Sequence, residues 1–300
     1  MLNKLHRIIH LADIVEDVKI QNKISIREEV LNYYALNSKE QGITGEKYCD
    51  REILVSLTTY GKRIHQVYLT IESLMQQSMK PNRILLWIDS RYQNQPLPQL
   101  LQQQTKRGLE IAFCKDIGSY TKLIPALKQY PNDIIITVDD DVYYNTTMIE
   151  NLVSAYLQDP HSIYFNRGFE ILLKKDNQLR SYNQWPSITS PESSPLNFPT
   201  GVGGVLYPPR CFPEEVFNES VFTTICPLAD DVWFKAMTLY NGIPSKKVVT
   251  VSITGDEFLV NRSTQDIGLK LQNNGQKQND KQLKAVFEKY NLFPLLTRCR

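Results

Sequence analysis

Three consecutive aspartates, Asp139, Asp140 and Asp141, directly follow an apolar run over residues 134–138. The run predicts a buried strand, so the three carboxylates would stand at the end of that strand. Side chains alternate along an extended chain, so Asp139 and Asp141 would share one side and Asp140 would point to the other. Carboxylates this close repel one another, and a divalent cation with oxygen ligands relieves that repulsion. The pattern indicates a site for Mg²⁺ or Mn²⁺ that binds a diphosphate, with a solvated acidic turn as the alternative.

A second acidic pair, Asp230 and Asp231, opens a predicted helix that ends near Asn241. Carboxylates at a helix start are ordinary capping chemistry, because free backbone N–H groups and the helix dipole stabilise them. A glycine-rich segment at residues 200–204 precedes this pair. Its glycines would either let the backbone approach a ligand closely or only turn the chain, and the sequence leaves both interpretations open.

The elements that would position these residues alternate between strands and helices from residue 53 onward. Apolar runs predict strands at Ile53–Thr58, 83–88, Leu109–Cys114 and 134–138, with helical periodicity between them. This alternation predicts an α/β fold with a mainly parallel, Rossmann-like sheet and helices on both faces, whose ligands bind at the carboxyl ends of the strands. The polar residues expected at that edge are Thr58, Asp89, Lys115 and the aspartate triplet.

Composition and charge exclude several classes of protein. The 300 residues are 42% hydrophobic and 22% charged, with a formal net charge of +2, as in an ordinary globular protein. Lys and Arg are scattered, so nucleic acid is not an expected partner. The five cysteines lack a C-x-x-C pair, which indicates reduced thiols in the cytoplasm. Neither a signal peptide nor an apolar stretch of about eighteen residues is visible, so no membrane-spanning helix is predicted.

Five short motifs follow in a fixed order between residues 53 and 242. They are V-S-L-T-T-Y at 55–60, G-S-Y-T-K at 118–122, D-D-D at 139–141, T-G-V-G-G-V-L-Y-P-P at 200–209 and A-D-D-V-W-F at 229–234. In this order they resemble a bacterial nucleotide-sugar glycosyltransferase with the A-type fold, close to family 2. The similarity is greatest to enzymes of cell-surface polysaccharide synthesis, such as those of lipopolysaccharide or capsule. The first fifty residues and the tail after about residue 260 match less distinctly.

The residue pattern and the resemblance together divide the chain into four segments. Residues 1–50 form a helical N-terminal extension, for which packing against the body of the protein is favoured over a membrane surface. Residues 51–165 form the nucleotide-sugar-binding half of an α/β domain, and residues 166–265 form its acceptor-binding half. Residues 266–300 form a helical C-terminal tail.

For the donor, the resemblance implies contacts from the first half of the chain. Thr58 and Tyr60 would border the base and ribose, with Tyr60 stacking on the base. Asp89 would accept from a base N–H, although a turn aspartate is the equal alternative. Lys122 would hold the diphosphate, and Arg63 is a second candidate for that role. Asp141 resembles the direct metal ligand, while Asp139 and Asp140 would hold ribose hydroxyls or metal-bound water, and Asp139 is also a candidate metal ligand.

For the acceptor, the resemblance implies that Asp231 takes the proton from the attacking hydroxyl and that the anomeric centre is inverted. Asp230 would orient the acceptor or exchange roles with Asp231. Gly203, Gly204 and Trp233 would line the acceptor pocket, where an aromatic face suits a sugar, although Trp233 is equally suited to the core.

One departure from the family concerns the metal. Many relatives carry a late histidine ligand, but no histidine follows Asp231 in this chain. Either the diphosphate and water complete the site, or an acidic residue replaces the histidine. The candidates for that replacement are Asp256, Glu257 and Asp280, and for Asp280 a helix N-cap is the favoured interpretation.

The resulting hypothesis is a cytoplasmic, metal-dependent transferase that moves a sugar from a nucleoside diphosphate sugar, with UDP preferred over GDP, to a growing surface glycan. The resemblance implies a lipid-linked acceptor and peripheral work at the inner membrane face. A nucleotidyltransferase is one alternative, but it usually has a glycine-rich basic loop after the first strand, where residues 58–63 contain only one glycine. A non-catalytic glycan-binding member of the same fold is the other.

Overall fold

The computed structural model describes residues 2–250, 258–261 and 278–297 of the chain. The strands in these ranges are β1 (Ile53–Thr58), β2 (Arg83–Asp89), β3 (Leu109–Cys114), β4 (Ile134–Thr137), β5 (Val142–Tyr144), β6 (Ile163–Phe165), β7 (Gly168–Glu170), β8 (Ser193–Ser194), β9 (Asn197–Pro199), β10 (Val205–Tyr207), β11 (Ser245–Lys247) and β12 (Phe258–Val260). The α-helices are α1 (Leu2–Asn37), α2 (Val67–Met75), α3 (Gln99–Thr105), α4 (Ile124–Gln129), α5 (Met148–Gln158), α6 (Glu219–Ile225), α7 (Asp230–Tyr240), α8 (Gln278–Lys289) and α9 (Phe293–Thr297). Short 3₁₀ turns lie at Gly61–His65, Ser90–Tyr92, Gly118–Lys122, Tyr182–Gln184, Gly201–Gly203 and Glu214–Phe217.

The central sheet has the strand order β3-β2-β1-β4-β10-β6-β11-β8 within the described ranges. Four of its seven neighbouring pairs are parallel, and three are antiparallel. The parallel strands β1, β2, β3 and β4 therefore end at the same edge of the sheet. This confirms the predicted mainly parallel α/β fold, and β10 joins the two predicted halves into one sheet.

Both faces of the sheet are covered, because neighbouring side chains on each buried strand enter different cores. Ile53, Val55 and Leu57 of β1 pack on the side of α2 and α5. Leu54 lies on the other side, in a core shared with α4, α7 and α8. The near-continuous apolar strands in the sequence reflect this double burial.

The N-terminal extension contains one long helix, α1, which runs without a break from Leu2 to Asn37. No Gly or Pro interrupts residues 2–37, so nothing in the sequence breaks the helix. Ile24 and Leu31 are buried against Leu69 of α2 and Tyr143 of β5. The helix thus packs on the body of the protein, as favoured. None of the helices in the described ranges combines the length and the apolar character needed to cross a membrane.

Residues 183–199 have the proline- and serine-rich composition of a surface loop but are anchored to the body of the protein. Trp185 and Phe198 are buried, and β9 pairs with β7 while β8 pairs with β11. Its apolar side chains fix the segment to the core. The composition of the segment does not show that Trp185 and Phe198 are buried or that its short strands pair with the rest of the protein.

Candidate functional site

A cleft of about 890 Å³ opens at the carboxyl ends of the parallel strands. It is bordered by the 3₁₀ turns at Gly61–His65 and Gly118–Lys122 on one side and by the start of α7 on the other. The predicted site residues that line it are Thr58, Tyr60, Arg63, Asp89, Lys122, Asp139, Asp140, Asp141, Asp230 and Asp231. Residues separated by more than 170 positions are therefore brought to one place by the sheet edge.

The buried aspartate of the triplet, Asp140, organises the base of the cleft. Arg63 Nη1 lies 2.7 Å from Asp140 Oδ1, and the Thr59 hydroxyl donates to Asp140 Oδ2 at 2.7 Å. Burial raises the pKa of the Asp140 carboxyl above its ordinary value, although Arg63 and Thr59 favour its charged form. The sequence predicted that Asp140 would hold ribose or metal-bound water. In the structure, both of its carboxylate oxygens contact protein groups, and the predicted role stays a prediction.

Arg63 and Lys122 neutralise the rest of the acidic cluster. Arg63 Nη2 lies 3.1 Å from Asp141 Oδ2, whereas Lys122 Nζ lies 2.8 Å from Asp139 Oδ1 and 3.0 Å from Asp230 Oδ2. Burial by itself would lower the pKa of Lys122, but the neighbouring carboxylates outweigh it and raise that pKa well above its ordinary value. Lys122 is therefore a buried, charged ammonium that links the triplet to the acidic pair.

Asp231 is placed by the glycine segment. The Gly201 backbone N–H donates to Asp231 Oδ1 at 3.1 Å, and the side chain keeps partial access to the cleft. Burial, reinforced by the charge of Asp230, raises the pKa of Asp231 to about 7. A carboxylate with such a pKa is an effective proton acceptor near neutral pH.

Gly201 keeps a space open between the two acidic groups. A Cβ atom at this position would lie 2.8 Å from Lys122 Nζ and 3.3 Å from both Asp139 Oδ1 and Asp231 Oδ1. Such distances are shorter than ordinary carbon contacts. Only glycine therefore fits without moving the charged groups.

The predicted base-binding residues border the cleft at the ends of β1 and β2. Tyr60 is exposed, with the Arg63 guanidinium 5.3 Å from its ring centroid. Asp89 accepts from the Arg91 backbone N–H at 2.9 Å, and these Arg91 hydrogen bonds lower the pKa of Asp89. Asp89 therefore stabilises a turn, which is one of its two predicted roles, and its side chain also lines the cleft. Thr58 donates to the Trp87 carbonyl at 3.1 Å.

The predicted acceptor residues Gly203, Gly204 and Trp233 do not line the cleft. Trp233 is fully buried and donates to the Val216 carbonyl at 3.1 Å. It lies two positions after Asp231 on a helix, about 200° around the axis, so it faces the core. The prediction that Trp233 contacts the acceptor was wrong.

The two glycines have structural roles instead. Gly204 has a φ of 87°, which favours glycine. A Cβ at Gly203 would lie 2.9 Å from Arg167 Cβ, so the chain packs too closely there for a side chain. Of the glycine-rich segment, Thr200 and Val202 line the cleft, while Gly201 positions Asp231.

Sequence reasoning missed several cleft residues of the second half, and four of them are Arg167, Phe169, Tyr182 and Phe198. They come from a segment whose pattern was too loose to assign. The density of aromatic residues between positions 164 and 198 was the available signal.

The acidic candidates for a third metal ligand have different outcomes. Asp280 accepts from the Ser181 hydroxyl at 2.6 Å and from the Tyr182 backbone N–H at 2.7 Å. It lies within the first turn of α8 and not at its N-cap, so it fixes the Tyr182 turn. Asp256 and Glu257 lie outside the described residues.

Within the described ranges, no group of three or more His, Cys, Asp or Glu side chains is arranged to hold a metal ion. Asp139 and Asp141 nevertheless present carboxylates to the cleft. Mg²⁺ is commonly bound by one or two carboxylates, with phosphate oxygens and water completing its shell. The donors present therefore fit an ion that binds together with a diphosphate.

No protein-family model matches the chain, and no curated protein matches it. Solved structures do match. The chain is similar to residues 1–349 of TarS from S. aureus in complex with UDP, at 15% identity and a TM-score of 0.44, covering 69% of this chain and 59% of that one. It is also similar to the mannosyltransferase PcManGT from Pyrobaculum calidifontis with GDP-Man and Mn²⁺, at 11% identity and a TM-score of 0.42, covering 79% and 68%. A third match is CMP:2-keto-3-deoxy-manno-octonic acid synthetase with CTP, at 10% identity and a TM-score of 0.41, covering 74% and 98%.

Each of these TM-scores is below 0.5, so function is argued from the cleft alone. The chain spans 59% of the UDP-bound TarS chain.

Proposed function

We propose that the protein is a glycosyltransferase that moves a sugar from a nucleoside diphosphate sugar to an acceptor hydroxyl with inversion. One observation carries this proposal. A proton acceptor with a pKa near 7, Asp231, lies beside the buried ammonium of Lys122 and the carboxylate of Asp139. Diphosphate binding and deprotonation of a hydroxyl are the two tasks that such a transfer requires, and here their candidate groups are neighbours.

The donor would lie across the ends of β1, β2 and β4. Tyr60 is exposed at the cleft and would stack on the base, and Asp89, at the end of β2, lines the same cleft. The diphosphate would then lie near Lys122 and Arg63, whose positive charges attract its negative charge. UDP is the preferred nucleotide on the sequence resemblance, with GDP as the alternative.

Asp141 and Asp139 would hold a Mn²⁺ or Mg²⁺ ion at the diphosphate. When bound, such an ion would stabilise the negative charge of the leaving group as a Lewis acid. Arg63 and Lys122, which contact these carboxylates, supply further positive charge at the same place. The protein groups that face the leaving diphosphate are therefore cationic or metal-binding.

The acceptor hydroxyl would lie on the Asp231 side. Gly201 holds Oδ1 of Asp231, which leaves Oδ2 to take the proton while the hydroxyl oxygen bonds to the anomeric carbon. The bond from that carbon to the diphosphate breaks in the same displacement, which inverts the centre. Asp230, paired with Lys122, keeps the ammonium between the base and the leaving group.

The biological setting is part of the proposal and is supported by the motif resemblance. The acceptor would be a growing surface glycan, such as lipopolysaccharide or capsule, linked to a lipid. The protein would then work in the cytoplasm at the inner face of the membrane.

Calorimetric titration with UDP, GDP and CMP, each with Mn²⁺ and with chelator, tests the donor site. We expect metal-dependent binding of one diphosphate, which Asp141→Ala abolishes. Asp176→Ala, a change at an exposed aspartate, is the matched control and should bind as the unchanged protein does. If folded protein binds none of these nucleotides, the glycosyltransferase proposal is wrong.

A further inference from the structure

Arg167 lines the cleft on the side of the second half of the chain, between β6 and β7. Its guanidinium carbon lies 4.8 Å from the ring centroid of Phe169. Its Nη1 also donates to the Thr200 hydroxyl at 3.1 Å. Stacking and one neutral hydrogen bond fix the guanidinium but leave most of its five donors for another group.

The charge of Arg167 distinguishes it from the other cations of the cleft. Arg63 pairs with Asp140 and Asp141, and Lys122 pairs with Asp139 and Asp230. Arg91 pairs with Asp89. Arg167 has no carboxylate partner among the residues that the structure describes. A cation stacked in a cleft without a counter-charge is suited to bind an anion.

Two further aromatic side chains continue from Phe169 through ring contacts. Phe169 and Tyr182 are partly exposed at the cleft, and the buried Phe198 packs beside Tyr182; these three residues are here called the aromatic cluster. The ring centroids of Tyr182 lie 5.6 Å from Phe169 and 5.7 Å from Phe198. Aromatic faces of this kind match the C–H surface of a sugar ring.

Tyr182 connects the cluster to the proposed base. The pKa of Tyr182 is raised by burial and by the charge of Asp231, and it is lowered by Arg167. The Tyr182 hydroxyl is therefore within electrostatic reach of both side chains. Tyr182, Asp231 and Arg167 line the same cleft, so a sugar ring placed on Tyr182 would share that cleft with the proton acceptor and the guanidinium.

We propose that the acceptor is an acidic glycan, whose sugar ring contacts the aromatic cluster and whose phosphate or carboxylate group binds Arg167. This inference rests on the proposed function, because it assigns the substrate class to the same cleft. In this proposal Arg167 selects acidic over neutral acceptors, and Asp231 accepts the proton of the attacking hydroxyl.

Ligand-observed NMR on protein loaded with UDP and Mn²⁺ tests the inference. The probes are methyl glucoside, methyl glucuronide and methyl glucoside 6-phosphate, with the matching galactosides as a second set. We expect at least one acidic probe to bind about tenfold or more tightly than its neutral counterpart. The carboxylate and phosphate probes then distinguish the two sources of charge.

Arg167→Gln should remove this preference while leaving UDP affinity unchanged, and Arg167→Lys should restore part of it. Arg180→Gln, an equal loss of charge at an exposed site, should keep the preference. Equal affinity for acidic and neutral probes, or no probe binding to nucleotide-loaded protein, would overturn the inference. A loss of UDP affinity in Arg167→Gln would also overturn it, by assigning Arg167 to the donor. Failure of the unchanged protein to bind any nucleotide would instead contradict the proposed function.

Discussion

At the scale of single residues, Asp231 connects structure to reaction most directly. Its deprotonated form is the one that accepts a proton, so kcat/KM should rise with pH and level off above about 7, the value to which burial raises the pKa of Asp231. Asp231→Asn should lower kcat by about 10² to 10⁴. Initial rates of nucleotide release between pH 5 and 9 measure both effects.

The same titration has a consequence for stability. Between the ordinary value of 3.8 and about 7, the folded state holds a proton that the unfolded state has lost. The free energy of unfolding should therefore fall as pH rises through this window, and Asp231→Asn should remove that contribution.

The rate measurement can contradict the assignment of Asp231. If the fall of kcat/KM at acidic pH persists unchanged in Asp231→Asn, another group is the base.

Lys235 is a second residue whose burial has a measurable effect. It is 2% exposed, and its Nζ lies 3.5 Å from the Ser245 hydroxyl, with no carboxylate partner among the described residues. Burial lowers the pKa of Lys235 to about 7. The unfolded lysine holds its proton up to a higher pH, so this group makes stability rise as pH increases from 7 to 10.

Lys235→Met should therefore stabilise the protein by about 1 to 3 kcal/mol near pH 7 and flatten its stability above that pH. Thermal melts across pH 6 to 10 measure this. Lys246→Met, at a partly exposed lysine beside Asp159, is the control and should give no such gain. A destabilised Lys235→Met would mean that the buried amine has a specific stabilising partner.

Sequence reasoning at this scale found the charged groups of the donor side and missed the aromatic ones of the acceptor side. Asp139 lies just after β4 and Lys122 just before α4, and both elements have clear sequence patterns. The sequence therefore predicts that both side chains lie at the carboxyl edge of the sheet. Arg167 and Tyr182 reach the cleft through short strands and a turn that Asp280 holds from far along the chain. No local pattern encodes that contact.

At the scale of elements, the 3₁₀ turn Gly201–Gly203 determines the geometry of the site. Gly201→Ala should move Lys122 or Asp231, because its Cβ would lie 2.8 Å from Lys122 Nζ. We expect turnover to fall by roughly tenfold to a hundredfold with the fold retained. Steady-state kinetics and a thermal melt check this.

Gly45→Ala is the matched control, since a Cβ there meets nothing within 4 Å. It should leave kinetics unchanged. If Gly201→Ala is as active as Gly45→Ala, the charged side chains around Gly201 can move to make room for a methyl group without loss of activity. That result would contradict the prediction.

At the scale of the whole molecule, α1 is fastened to the strand that follows the aspartate triplet. The Tyr143 hydroxyl donates to Glu28 at 2.7 Å, and Arg27 donates to the Tyr144 carbonyl at 3.4 Å. Tyr143→Phe should cost about 1 kcal/mol and speed amide exchange in α1. Tyr33→Phe, at an exposed position, should change neither quantity. Equal exchange in both variants would show that apolar packing alone holds the helix.

The fold as a whole was predictable where its elements are long. The first four strands of the sheet have six, seven, six and four residues, and each matches its apolar run. The later strands have two or three residues. Their pairings join distant parts of the chain, so tertiary contacts decide them and a local pattern cannot.

The position of β10 in the sheet affects how the chain can fold while it is being synthesised. It lies between β4 and β6 although it follows both in the chain. While the ribosome makes residues 138–204, the edge of β4 that β10 will cover has no permanent neighbour. An uncovered apolar strand edge is a template for pairing with other chains. The nascent chain would therefore be most prone to aggregation in that interval and most in need of a chaperone until Tyr207 has emerged.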